Sequence, residues 1–137
     1  MLLNVIFSIA MQAAAPSPIA VIANDMMSQV DSPRQSVARN AAEWTTLWKM
    51  HSGESKPPAV DFGSRTVVAV FLGSRPTAGY AVQIIGTRQA NGALIVQWQE
   101  RRPAGGDILA QVLTSPATIV SIPKFAGDIK FEKVDPK

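Results

Sequence analysis

The sequence predicts an α+β fold, mainly antiparallel β, in which six to eight short strands build a sandwich or partly open barrel and one amphipathic α-helix, about residues 40–52, packs on it. Three observations predict this. A single stretch carries apolar residues at helical spacing, several valine-rich or alternating runs of strand length recur at near-regular intervals, and Asn91-Gly92 stands between two of them as a hairpin signal. At 137 residues the chain suits one domain with a real core, placed at 19–135.

Taken in order, residues 19–30 (IAVIANDMMSQV) and 34–39 (RQSVAR) are β-compatible runs broken by Asn24-Asp25 and Ser32-Pro33, both turn formers. Asn40 can cap a helix, with Glu43 three residues on, and Trp44, Leu47, Trp48 and His51 then follow at i, i+3, i+4 and i+7. That face should pin the helix to a sheet, and Gly53 should end it. Pro57-Pro58 forbids helix in the linker, and Thr66–Leu72 reads as a strand buried on both faces.

Tyr80–Thr87 and Leu94–Glu100 read as a hairpin closed by Asn91-Gly92, since a type I′ turn needs positive φ at both central residues. Pairing outward sets Gln89 opposite Leu94 and Thr87 opposite Val96, which without correction would turn Ile84 and Val82 away from the core. A bulge at Gly86 repairs the register by placing Ile84 opposite Trp98. Ile108–Thr114, Ala117–Ile122 and Asp128–Val134 are the last three expected strands.

Composition narrows the functions open to such a fold. The net charge is +3, and the basic residues are scattered apart from Arg101-Arg102, so no stripe is available to track a nucleic-acid backbone. No cysteine is present, which removes disulfides, thiolate metal sites and lipidation at a cysteine. One histidine cannot anchor a transition-metal site alone, so no metal or other cofactor is expected. MLLNVIFSIAMQAAAPSP holds a short apolar stretch before Ala13-Ala14-Ala15, the pattern of a cleaved export signal over residues 1–15. It is too short for a membrane span, although its first residues lack the usual basic group.

The stretch GSRPTAGY, residues 73–80, is the chemically richest. It lacks the Lys-Ser/Thr ending of a phosphate-binding loop and opens a strand rather than a helix. Two readings stand: a hairpin loop in which Gly73 and Gly79 supply unusual angles, Pro76 fixes φ and Tyr80 folds inward, or a loop stiffened to meet a partner. Arg101-Arg102 opens a second loop, RRPAGG, whose arginines could grip a carboxylate or simply be solvated. Glu100 and Asp107 flank it as a carboxylate pair, and His51 is the one base that could activate a serine or threonine in a hydrolase; a cap or packing role suits it better.

EWTTLWKMH, Pro58–Phe62, VVAVFLGSRPTAGYAVQI, the QERRPAGG stretch and TSPATIVSIP together resemble the PrcB C-terminal domain family from about Asn24 to Val134. The Gly73–Tyr80 loop, the Trp44/Trp48 helix and Thr114-x-Pro116 are the most specific parts. The resemblance implies a bacterial, extracytoplasmic, noncatalytic accessory domain associated with a protease, here periplasmic or secreted rather than tethered through a cysteine. Pro76, Thr77, Gly79 and Tyr80 are also similar to the Asn-Pro-Thr-Thr-Gly-Tyr loop of chagasin-type protease inhibitors, with Arg75 and Ala78 departing from it and Ala104 replacing the tryptophan of that family's Arg-Pro-Trp. The resemblances imply a protein partner met by Arg75, Pro76, Thr77, Gly79, Tyr80, Arg101 and Arg102, with insertion of the 73–80 loop into an active-site cleft as the alternative.

Overall fold

The computed structural model describes residues 18–136; the export-signal expectation for residues 1–15 lies outside them. The elements are β1 (Ala20–Asp25), β2 (Arg34–Ala38), α1 (Ala41–Ser52), β3 (Arg65–Phe71), β4 (Ala81–Ala90), β5 (Ala93–Arg101), β6 (Ala117–Pro123) and β7 (Ile129–Lys133). They form two sheets, ordered β1-β6-β3-β2 and β4-β5-β7, in a sandwich-like α+β arrangement with no closed barrel.

Helix α1 forms where its caps dictate. The Asn40 side chain accepts the Glu43 backbone N–H at 2.9 Å, and Gly53 takes a left-handed φ of 80° to close the last turn onto the Lys49 carbonyl. The Glu43 carboxylate reaches back one residue further than a capping box does, accepting the N–H of Arg39 at 2.8 Å. Trp44, Leu47 and His51 are the buried residues of the helix, and they lie against Val67, Ala69 and Phe71 of β3 and Ile119 of β6.

Alternation along β3 explains its two-sided burial. Val67, Ala69 and Phe71 face the helix, whereas Val68 and Val70 meet Val82, Ile84, Leu94 and Val96 of the second sheet. This central strand therefore belongs to two cores, and each fully buried aliphatic or aromatic side chain in it contributes about 1.5–3 kcal/mol.

The β4–β5 hairpin turns at Asn91 and Gly92, with φ of 54° and 80°. Its register shifts between Ile84 and Gly86, so that Ile84 pairs with Trp98 and Gly86 with Gln97, as the bulge reading requires. Two features depart from the sequence expectations. β7 pairs with β5 in parallel, because the chain crosses to the other sheet as β6 before it returns. Ile108–Thr114 is not a strand: apart from an isolated bridge between Thr114 and Arg75 it has no ladder, and Ile108, Val112 and Leu113 face solvent. Apolar residues in adjacent pairs give that segment no alternating face to lay on a sheet.

The Trp44 indole N–H donates to the Pro58 carbonyl at 2.8 Å, fastening the Pro57-Pro58 linker over the helix. Trp44→Phe keeps most of the apolar surface but leaves that carbonyl unpaired. A loss of about 1–2 kcal/mol is expected, read as a lower urea midpoint at unchanged slope.

Candidate functional site

Three loops meet at one end of the sandwich: residues 26–33 after β1, 72–80 after β3, and 102–116 before β6. Backbone hydrogen bonds make them one body. Arg75 and Thr114 exchange N–H···O bonds at 2.8 and 2.9 Å, the Ala78 N–H reaches the Ala110 carbonyl at 3.1 Å, and the Ser74 N–H reaches the Asp31 carbonyl at 3.0 Å. Ser115 donates to the Met26 carbonyl and receives the N–H of Ser28, each at 2.9 Å or less. The Gln29 N–H bonds the His51 carbonyl, which ties the C-terminal end of α1 to the same end.

Within this body the 73–80 loop is held from below. Arg75 turns its Nε to Glu100 Oε2 at 2.8 Å and donates Nη1 to the carbonyls of Leu72 and Ser74, while its guanidinium lies 5.9 Å from the Tyr80 ring centroid. Glu100 is 2% exposed at the end of β5, with Lys133 Nζ 3.4 Å and Arg102 3.9 Å from its other oxygen. Its carboxyl pKa is held below the ordinary 4.5, chiefly by the Arg75 hydrogen bond, against the opposing effect of burial.

Thr77 donates its hydroxyl to the Ala78 carbonyl and receives the Thr114 hydroxyl on its own carbonyl. Pro76 and Gly79 are exposed, and a Cβ on Gly79 would come within 3.0 Å of Leu109 and Pro103, so the two loops touch there. Tyr80 is half-buried. Of the seven residues singled out by sequence, Arg75 and Thr77 spend their polar groups inside the chain. Pro76, Gly79, Arg101 and Arg102 face outward. The Glu100–Asp107 pair is split, since Asp107 accepts the Ala104 N–H and closes its own turn.

Sequence reasoning missed what surrounds the loop. Met26, Met27, Ile108, Val112 and Leu113 are large and apolar, yet all are exposed, Ile108 fully and Leu113 by 68%. The paired apolar residues of ILAQVL, which do not alternate, were the available signal. Scattered single exposed hydrophobics are ordinary; here five lie on two loops joined by backbone hydrogen bonds.

His51 has two partners at this end: Ser28 Oγ at 2.8 Å from Nδ1 and Asp25 Oδ2 at 2.7 Å from Nε2. The residue types are those of a nucleophilic triad, but the exposure is inverted. Ser28 and His51 are buried, Ser28 Oγ also accepts the Val30 N–H at 3.1 Å, and the carboxylate is the member that meets solvent. The cluster locks the helix end to the 26–33 loop. Among the described residues no group of His, Asp and Glu is placed to hold a metal ion, and no helix is long and apolar enough to cross a membrane.

Fold and site together define a two-sheet α+β domain that presents a braced, partly apolar loop surface at one end. Residues 66–123, from β3 through that surface to the end of β6, match the family model described as PrcB C-terminal, and over this stretch the chain is similar to that family. The match is narrower than the similarity read from sequence, leaving the Trp44/Trp48 helix outside it. No curated protein and no solved structure matches the chain.

Proposed function

We propose that this chain is a noncatalytic, extracytoplasmic domain that associates with a protease and modulates or stabilises it through the loop end of its sandwich. One observation carries the reading: the exposed Met26, Met27, Ile108, Val112 and Leu113 gather on loops hydrogen-bonded around the stiffened 73–80 loop. An accessory role beside a protease is what the match of residues 66–123 to the PrcB C-terminal family model suggests. The buried serine of the Ser28–His51–Asp25 cluster favours binding over hydrolysis.

In this reading Arg75 and Thr77 brace the surface rather than touch the partner. Arg101 and Arg102 supply its charged rim, and Pro76 and Gly79 its contour. A surface ordered before contact loses little freedom on binding. The leader-like residues 1–15 support a periplasmic or secreted site of action.

The test is capture of secreted and envelope proteases by the purified domain, with hydrolysis of a peptide substrate followed as domain is added. Ile108→Ser/Leu113→Ser replaces two exposed side chains and should leave the urea midpoint unchanged. It is expected to weaken capture by at least about tenfold. Undiminished capture by this variant would remove the loop end from the interface. Hydrolysis that slows in proportion to occupancy would instead identify an inhibitor occupying the cleft.

A further inference from the structure

Strand β2 lies at the free edge of the four-stranded sheet, and beyond it a groove of about 510 Å3 runs between the strand and α1. We propose that this edge and groove accept an extended segment of a partner protein as an added, antiparallel fifth strand. The inference concerns a face apart from the loop surface and does not rest on the partner being a protease.

A sheet edge presents a row of unpaired N–H and C=O groups, which chains normally blunt with bulges, lysines, prolines or covering segments. The other three edges show such devices. β1 carries a register break between Val21 and Ala23, β4 has its bulge at Ile85, and β7 places Lys130 and Lys133 in a five-residue strand. β2 is as short as β7 and begins at Arg34, but its ladder to β3 is unbroken from Arg34–Phe71 to Ala38–Val67, and it contains no bulge, lysine or proline. Among the described residues no backbone hydrogen bond is made on its outer side.

The groove tells what the added strand must look like. Val37 packs toward the second sheet and Ala38 toward the helix, so by alternation Arg34 and Ser36 share the helix side. A strand laid beside β2 would direct every second side chain onto Ala42, Thr46, Leu47 and Met50 of α1, a floor that suits small or medium apolar groups. Charge sets the end groups of an antiparallel occupant. Arg34 stands at the start of β2 and Glu43 beside its end, and an antiparallel strand would bring its C-terminal side to Arg34 and its N-terminal side to Glu43. The occupant is therefore an extended segment with alternating apolar residues, a basic residue or amino terminus at its start and an acidic residue at its end.

The probe is a nine-residue peptide of alternating valine and threonine with lysine first and glutamate last, titrated to millimolar concentration into the 15N-labelled domain. Amide shifts confined to residues 34–38 and 42–50 are expected. N-methylation of alternate peptide nitrogens, which removes ladder donors without altering side chains, should weaken binding by at least about tenfold, as should Thr46→Arg, which fills the groove from an exposed position. Absent or dispersed shifts overturn the proposal, and so does equal binding of the N-methylated peptide. Self-association through residues 34–38 in sedimentation, with no peptide response, would assign the edge to a second copy and overturn it as stated.

Discussion

Arg75→Ala is expected to lower stability by about 3 kcal/mol at neutral pH, because it strips the closest cation from a carboxylate that is 2% exposed. Lys133 and Arg102 remain at 3.4 and 3.9 Å, so the loss should sit at the low end for a broken buried pair. The pH dependence follows from the depressed carboxyl pKa of Glu100. In the wild type the ionised form is favoured by folding, so its contribution is complete above the ordinary 4.5 and disappears only as pH falls through the lower folded value. In the variant the carboxylate keeps its burial and loses its best partner, so it takes up a proton at higher pH. The stability difference between the two proteins should therefore be largest near neutrality and shrink in acid. Urea denaturation at a series of pH values measures it, and Arg75→Ala/Glu100→Gln should recover part of the loss. A difference of less than about 1 kcal/mol that ignores pH would mean the pair behaves as a surface contact.

That pair also shows where sequence reasoning stops. Signals carried by neighbouring residues were legible: Asn40 and Gly53 bound the helix, Asn91-Gly92 set the hairpin, and Gly86 marked the bulge that puts Ile84 opposite Trp98. Each is settled within a few residues by backbone angle or side-chain alternation. Arg75 and Glu100 are 25 residues apart, and His51 meets Asp25 across 26. Nothing local distinguishes an arginine aimed at a partner molecule from one aimed at a distant carboxylate, so Arg75 read as an outward contact. The parallel pairing of β7 with β5 depends on β6 crossing between the sheets, a property of the whole topology. Ile108–Thr114 had the residue types of a strand, but its apolar positions come in pairs, and that spacing described the exposed loop better than its composition did.

Gly73→Ala is the second change with a large expected effect, and its cause is separable from ordinary turn strain. Gly73 has φ of +81°, and a Cβ there would lie 2.8 Å from both the ring Cδ and the backbone nitrogen of Pro33 and 3.0 Å from the Ser32 carbonyl carbon. Positive φ costs an L-residue roughly 1–2 kcal/mol, and forcing an extra methyl into packed surroundings costs a further 1–3 kcal/mol or so. Pro33 has a rigid ring and the other contacts are main chain, so relief requires moving the 26–33 loop as a whole. Gly106 supplies the control, since its φ is +91° and nothing lies within 4 Å of its would-be Cβ. Gly106→Ala should cost only the backbone strain, and the excess for Gly73→Ala measures the close approach of the two loops. Because the Ser74 N–H holds Asp31 and Arg75 holds Thr114, displacing Gly73 should shift the whole loop end, so protease capture and stability should fall together in this variant. Equal urea midpoints for the two alanine variants would show that the 26–33 loop yields freely and does not fix the position of the 73–80 loop.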